Sequence, residues 1–316
     1  MATLSLPISA DITDLQAGRQ LVAFNAGSDG AVYLLFAELP LNYRSGGKNT
    51  SNFAVTQPKR AQTYRAVSIR NGAVELDVTI SRERFNIHHL QPLGELLLLV
   101  CARSHYGRAG NPERNGRLYT RGGELVGELL LGDGIQDVQT TAEGTIWASY
   151  FDEGVFGNFG WAEPLGAAGL VEWSRDGAKL YEFEPPDGLD SICDCYALNV
   201  TADDVWLCYY TDFPLVRLRN RRVSGDWRAP VEGSAAFAIG SGHCLFQGGY
   251  DERTEYVLAE LQSSGKSPRV VKRFQVLDEA GEVLSPLRTA ARGERLYVLS
   301  GTRLYQLDVS TSFAAE

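Results

Sequence analysis

Gly144-Thr145-Ile146-Trp147-Ala148-Ser149-Tyr150 is a turn glycine followed by a short apolar strand, and weaker copies of it recur along the chain. The copies are Gly30-Ala31-Val32-Tyr33, Gly94-Glu95-Leu96-Leu97, Asp204-Val205-Trp206, Gly242-His243-Cys244-Leu245 and Gly293-Glu294-Arg295-Leu296-Tyr297. Counting from Tyr33 through Leu97, Trp147, Trp206 and Leu245 to Tyr297, the differences in position are 64, 50, 59, 39 and 52 residues. A loose period of that size, with turns between short strands, is the mark of blades in a β-propeller.

Composition fits that reading. The 316 residues are 44% hydrophobic and include 33 glycines and 12 prolines, enough apolar matter for a core and enough turn residues for many hairpins. The longest apolar run, Leu96 to Ala102, has the length of a buried strand and is far short of a membrane span. Met1 to Ala10 has neither a basic start nor a long apolar stretch, so no secretory signal is expected. Cys101, Cys193, Cys195, Cys208 and Cys244 make an odd count, mostly in apolar strand contexts. Reduced core thiols and a cytoplasmic location follow as expectations. A formal charge of −9 opposes sequence-independent binding to nucleic acid, which needs a net basic face.

Turn chemistry marks the hairpins. Arg70-Asn71-Gly72 separates Tyr64–Ile69 from Val74–Val78, and Arg175-Asp176-Gly177 separates Leu170–Trp173 from Leu180–Phe183. Asn-Gly and Asp-Gly supply the positive φ angles that tight hairpins need. Gly301-Thr302 stands between Leu299 and Leu304 in the same way. The pattern predicts an all-β fold, one six-bladed β-propeller domain over residues 1–316, with four-stranded antiparallel blades. The blades fall at about 17–80, 84–132, 134–185, 190–230, 233–278 and 284–309. The sixth has only three strands, so the N-terminal segment 3–8 is expected to supply its fourth and cover a sheet edge. The whole chain resembles, in repeat form, the six-bladed propeller group of NHL-repeat and TolB-like domains. The Gly-His and Trp-Asp marks of WD40 repeats do not recur: Gly242-His243 stands alone and Trp-Asp is absent.

Loops between the first two strands of each blade are short, as in Gln91–Gly94, Thr141–Gly144 and Thr201–Asp204. Loops after the second strand are long, and with the blade-to-blade links they share one face, where rigid strands would present variable loops. Blade one offers Leu39 to Gln62, with Tyr43, Arg44, Lys48, Lys59 and Arg60. Blade two offers Arg103, His105, Tyr106 and Arg108, and blade three offers Tyr150, Asp152, Glu153, Phe159 and Trp161. Blades four and five add Tyr210, Asp212, Gln247, Tyr250, Asp251 and Arg253, and the links add Asn86, His88, Asp137, Asp190 and Arg288. Mixed aromatic and charged residues suit polar ligands. Each residue taken singly could instead cap a strand end or bind loop backbone.

The strongest catalytic set is His105, Tyr150 and Asp152. An imidazole and a phenol could act as base and acid while Arg103 or Arg108 holds a carboxylate, chemistry suited to β-elimination from a uronate-containing glycan. The carboxylates Asp137, Asp152, Glu153, Asp190 and Asp212 could serve a glycoside hydrolase or hold Ca²⁺, without any EF-hand spacing. His88-His89 and Cys193-x-Cys195 are poor metal sites, because adjacent strand residues face opposite ways and a second cysteine pair is missing. No metal or cofactor is expected. Neither a nucleophile elbow nor a dinucleotide-binding glycine loop occurs in its required context. Arg217–Arg222, the one basic run, is placed on the third strand of blade four and the turn after it.

The expected function is a cytoplasmic propeller binding a polar small molecule, glycan, peptide or protein partner on its long-loop face, with neither nucleic acid nor membrane as a partner. The alternative is a carbohydrate-active enzyme using His105, Tyr150 and Asp152. Ligand-binding candidates are Asn86, His88, Arg103, Tyr106, Arg108, Asp137, Trp161, Tyr210, Asp212, Gln247, Tyr250, Arg253 and Arg288.

Overall fold

A computed structural model describes residues 1–41, 43–44, 53–107, 110–250 and 252–313. Its elements run in chain order as follows. The N-terminal segment carries β1 (Ala2–Ser5), β2 (Ala10–Asp11) and the single-turn α1 (Thr13–Gln16). The first blade follows with β3 (Gln20–Ala26), β4 (Val32–Ala37), a small hairpin of β5 (Tyr43–Arg44) and β6 (Phe53–Ala54), then β7 (Gln62–Arg70) and β8 (Ala73–Glu83). The second has β9 (His89–Leu93), β10 (Leu96–Val100), β11 (Gly116–Thr120) and β12 (Leu125–Leu129). The third has β13 (Ile135–Thr140), β14 (Ile146–Tyr150), α2 (Asp152–Phe156), β15 (Leu170–Trp173) and β16 (Lys179–Glu182). The fourth has β17 (Asp194–Val200), β18 (Asp204–Tyr210), β19 (Pro214–Arg219) and β20 (Arg222–Arg228). The fifth has β21 (Phe237–Gly240), β22 (His243–Gln247), β23 (Glu255–Glu260) and β24 (Arg269–Leu277), and the sixth has β25 (Arg288–Arg292), β26 (Arg295–Ser300) and β27 (Arg303–Asp308).

Among the described residues these strands form six four-stranded antiparallel blades of a β-propeller, as the repeat predicts, with β1 added to the edge of one of them and β5–β6 a separate two-stranded hairpin. The chain divides into two compact units, one of residues 16–182 with blades one to three, the other of 1–15 and 183–316 with blades four to six. The recurring motif opens the second strand of every blade: Tyr33, Leu97, Trp147, Trp206, Leu245 and Tyr297 all lie there and all are buried. Gly144 has φ +88°, a conformation glycine alone adopts without a steric penalty, and its amide donates to Thr141 O.

The apolar run of β10 shows why the second strands carry little polar residue. Side chains alternate across a strand. Leu97 and Leu99 pack with Tyr33, Leu35 and Tyr64 of blade one, whereas Leu98 and Val100 pack with Ile146, Ala148 and Val171 of blade three. Both faces are covered, so both must be apolar. In the other unit β22 repeats the device, Leu245 packing toward blade six and Cys244 and Phe246 toward blade four. Fourth strands alternate instead: in β8, Leu76, Val78 and Ile80 are buried between exposed neighbours. Side-chain amides of the first strands tie blades together. Asn25 accepts from Leu90 N, Gln91 donates to Ala26 O, and Asn199 donates to Phe237 O and Gly293 O.

The N-terminal segment does complete blade six, but through a different stretch from the one expected. Ala10 and Asp11 pair antiparallel with Leu304 and Arg303, forming the fourth strand. Residues 2–5, which overlap the expected 3–8 stretch at 3–5, pair parallel to Phe274–Leu277 as a fifth strand on blade five. One segment therefore covers two sheet edges, because Leu6 to Ser9 is long enough to step from one blade to the next. Asn71 (φ +50°) and Gly72 (φ +78°) make the expected hairpin between Arg70 and Ala73. The basic run lies where predicted, on β19 and the turn into β20, with Arg219 bound to Asp204 and the Arg217 guanidinium 5.4 Å from the Trp206 ring centre. No helix among the described residues is long and apolar enough to cross a membrane.

Candidate functional site

In blades two and three the sequence-derived set resolves mostly into scaffold. Arg103 is buried and grips Asp133 with two hydrogen bonds, Nε at 2.9 Å and Nη2 at 2.8 Å. Its remaining Nη pairs with Glu153, and its guanidinium lies 4.0 Å from the Phe159 ring centre. Burial raises the Asp133 carboxyl above its ordinary range, while the bonds from Arg103 and Ser104 N pull the other way. Arg103 thus ties loops together, buried with each of its three guanidinium nitrogens already facing a carboxylate.

Tyr150 corrects the catalytic expectation. Its ring is fully buried, its hydroxyl donates to Leu131 O at 2.6 Å, and the Tyr150 Oη accepts from Trp173 Nε1 at 3.2 Å. Burial pushes the phenol well above its usual range, so it stays protonated and locked. As the last residue of β14, Tyr150 faces the core, whereas the expectation assumed that the strand's end leads straight onto the open face. Asp152 begins α2, exposed, its Oδ1 accepting Glu153 N at 2.7 Å. His105 is exposed, with its ring edge toward Phe159 at 6.1 Å between centroids and its backbone N donating to Glu113 Oε2 at 2.9 Å.

The neighbouring candidates are engaged too. Trp161 is buried and donates to Ser104 O, and Tyr106 packs edge-on against it at 4.9 Å. Asn86 is buried, donating to Val55 O. His88 Nδ1 accepts Ala102 N at 3.1 Å, which fixes the proton on Nε2 in the neutral ring. Asp137 accepts Val138 N and Gln139 Nε2, with His89 Nδ1 at 4.0 Å. Arg108, Lys48 and Asp251 lie outside the described residues.

In blades four and five the loops after the second strands are more open. Tyr196, Tyr210, Phe213 and Tyr250 meet in one aromatic cluster. Tyr196 and Phe213 are 5.2 Å apart, Tyr196 and Tyr250 5.8 Å, Phe213 and Tyr250 5.8 Å, and Tyr210 and Phe213 5.9 Å, all edge-to-face. Tyr250 Oη donates to Tyr196 Oη at 2.6 Å. Phe213 is the buried hub, whereas Tyr210 is 45% exposed and Tyr250 is 54% exposed. Burial, then the Tyr250 hydroxyl, push the Tyr196 phenol above its ordinary range and keep it a hydrogen-bonding group.

The fold assembles this cluster from four places. Tyr196 comes from β17, Tyr210 from the end of β18, Phe213 from the turn before β19, and Tyr250 from the loop after β22. Asp194 pairs in register with Tyr210, and Tyr250 N donates to Glu232 O. Asp212 and Arg253 are exposed beside the rings in sequence, while Gln247 is nearly buried and donates to Arg253 O. Arg288 is exposed at the start of β25. Tyr210 and Tyr250 were legible as candidates. Tyr196 and Phe213 were not, because both sit in apolar runs that read as core; the acidic stretch Glu184 to Asp194 beside them was the available signal.

Comparison with known proteins adds the fold and little more. A family profile described as YxzG family matches residues 167–307. Among curated proteins none matches the sequence. Among solved structures, KlHsv2 (Kluyveromyces lactis Hsv2) with loop 6CD replaced by a Gly-Ser linker superposes with a TM-score of 0.50 at 9% identity, over 92% of this chain and 78% of that one. The β-propeller domain of Myceliophteria thermophila Cps50 (Swd1) gives 0.48 at 11% identity over 92% and 86%. The WD40 β-propeller domain of Doa1 gives 0.46 at 10% identity over 95% and 95%. The likeness to KlHsv2 concerns the fold alone, which agrees with the sheet topology.

Proposed function

We propose that this protein is a cytoplasmic binding propeller, and that the long-loop face of blades four and five takes a basic peptide segment of a partner protein. The observation that carries the reading is the Tyr196–Tyr210–Phe213–Tyr250 cluster. Two of its rings are solvent-facing yet held by edge-to-face packing and a hydroxyl–hydroxyl bond. Ordered exposed tyrosines give up little conformational entropy on binding and are favoured anchors in interfaces.

Charge selects the partner. The loops and strand ends next to the cluster in sequence carry Glu184, Asp187, Asp190, Asp194, Asp212, Glu232 and Glu252 against Arg228 and Arg253. Arg228 already faces Glu232 at 3.5 Å. Lysine or arginine side chains could lie over the ring faces while neighbouring carboxylates neutralise them. Burial of Cys101, Cys195, Cys208 and Cys244 within the sheets supports a reducing location.

The test uses a library of fluorescent octapeptides graded in charge, measured by anisotropy on the intact protein and on Tyr210→Ala and Tyr250→Ala. Lys/Arg-rich peptides should bind best, weaken as salt rises, and lose about tenfold or more in affinity to either variant. Equal binding of acidic and basic peptides, or variants as strong as the parent, would overturn the reading.

A further inference from the structure

A separate cavity of about 330 Å³ opens within the unit of blades one to three, where the link between β8 and β9 meets the loop after β10. Arg84, Arg114 and Arg117 line it together with Glu113, Glu128 and Phe85. Its volume is near the lower bound for small-molecule sites, about 300 Å³.

The arginines are not equivalent. Arg117 is buried in place: Nε donates to Glu83 Oε2 at 3.1 Å, one Nη pairs with Glu128, and the guanidinium carbon is 5.2 Å from the Phe85 ring centre. It forms a rigid floor. Arg84 is 66% exposed and reaches Glu128 only at 3.7 Å. Arg114 is exposed and makes no ion pair among the described residues.

Both lining carboxylates are already used. Glu113 accepts Gln57 Nε2 at 2.8 Å and His105 N at 2.9 Å, which ties the two loops together. Glu128 is shared by Arg117 and Arg84. Glu113's partners are neutral donors that leave its charge in place, but both its oxygens are taken. Among the described residues Arg114 is therefore the lining group whose hydrogen-bonding capacity stays open; it shares the cavity with Phe85, Leu130 and the fixed Arg117 guanidinium. We infer that this cavity binds a small molecule bearing one carboxylate or phosphate group, with Arg114 and Arg84 on the anion. Guanidinium forks match the paired oxygens of either group.

The site is independent of the peptide reading: it lies in the other unit and takes a different ligand. Glucuronate, inorganic phosphate and neutral glucose would be titrated against the intact protein by isothermal calorimetry, and again against Arg114→Gln, Arg84→Gln and the remote control Arg228→Gln. At least one anion should bind saturably and glucose should not. Affinity should fall about tenfold in Arg114→Gln and stay unchanged in Arg228→Gln, each variant keeping the parent circular dichroism spectrum. Binding of glucuronate alone assigns a sugar acid, and binding of phosphate alone assigns a phosphorylated ligand. Absence of saturable binding by both anions, equal binding of glucose, or an unaffected Arg114→Gln would each overturn the inference.

Discussion

Tyr150 and Tyr210, the end residues of two equivalent second strands, have opposite fates. Tyr150 is sealed under Gly166, where any Cβ would come within 2.3 Å of its ring, and its hydroxyl serves Leu131 O and Trp173 Nε1. Tyr210 leans on Phe213 with almost half its surface open. Tyr150→Phe should therefore cost about 1–2 kcal/mol in urea unfolding, since it strands a buried carbonyl and an indole N–H. Peptide and anion affinities should not change. A larger loss of ligand affinity than of stability would return Tyr150 to the functional set. Thiol chemistry follows the same logic of burial, which pushes Cys208 and Cys244 up to about 12. With Cys101 also buried, half-exposed Cys193 should be the first thiol to react with a thiol-exchange reagent in the native protein.

At the scale of single elements, carboxylates hold strand ends and hairpins. Asp308 closes β27, accepting from Ser310 Oγ, Ser310 N and Thr311 N, with Arg295 at 3.5 Å. Burial raises its pKa, but these donors outweigh that and hold it below the ordinary range. Asp77, on β8, is lowered mainly by its two hydrogen bonds from Arg65 on β7. A carboxyl depressed in the folded state adds stability above its unfolded pKa of about 3.9, and that stability disappears as pH falls through the lower folded value. Asp77→Asn and Asp308→Asn should each lower stability at neutral pH and flatten the loss below about pH 4. Chemical denaturation repeated across pH 2–7 checks this, and parallel curves for parent and variants would refute it. Elements were the most legible level of this chain. The Asn71-Gly72 hairpin, the motif glycines and the alternation of β8 all depend on contacts within a few residues, which the order of residues displays. What it did not display was the parallel pairing of β1 with β24, whose partners lie some 272 positions apart, as Ala2 to Phe274 shows.

For the whole molecule, the N-terminal segment closes the edges of two blades. Its amides continue the pairing beyond the strands, Leu6 N to Leu277 O and Ser9 N to Leu304 O. Removing residues 1–11 should expose β24 and β27 as open edges. The expected result is a Tm lower by about 4 °C or more in calorimetry and concentration-dependent association in light scattering. A truncated chain as stable and monodisperse as the parent would show that the segment is dispensable. The charge of −9 belongs to this scale as well, because it favours basic partners at low ionic strength and makes their capture sensitive to salt.

The repeated Gly-apolar motif, through turn geometry and two-sided strand burial, determined by itself that the chain builds six four-stranded blades. The order of residues also displayed that the loops after the second strands are the long ones, rich in aromatic and charged residues. Tertiary structure alone decided which of those residues are already spent. Arg103 finds Asp133 thirty positions away, Tyr150 finds Leu131, and Arg117 finds Glu83. Polar groups must be paired once they are buried, and only the packed fold reveals which ones were buried. The aromatic cluster at Phe213 and the arginine mouth at Arg114 are what that accounting leaves open.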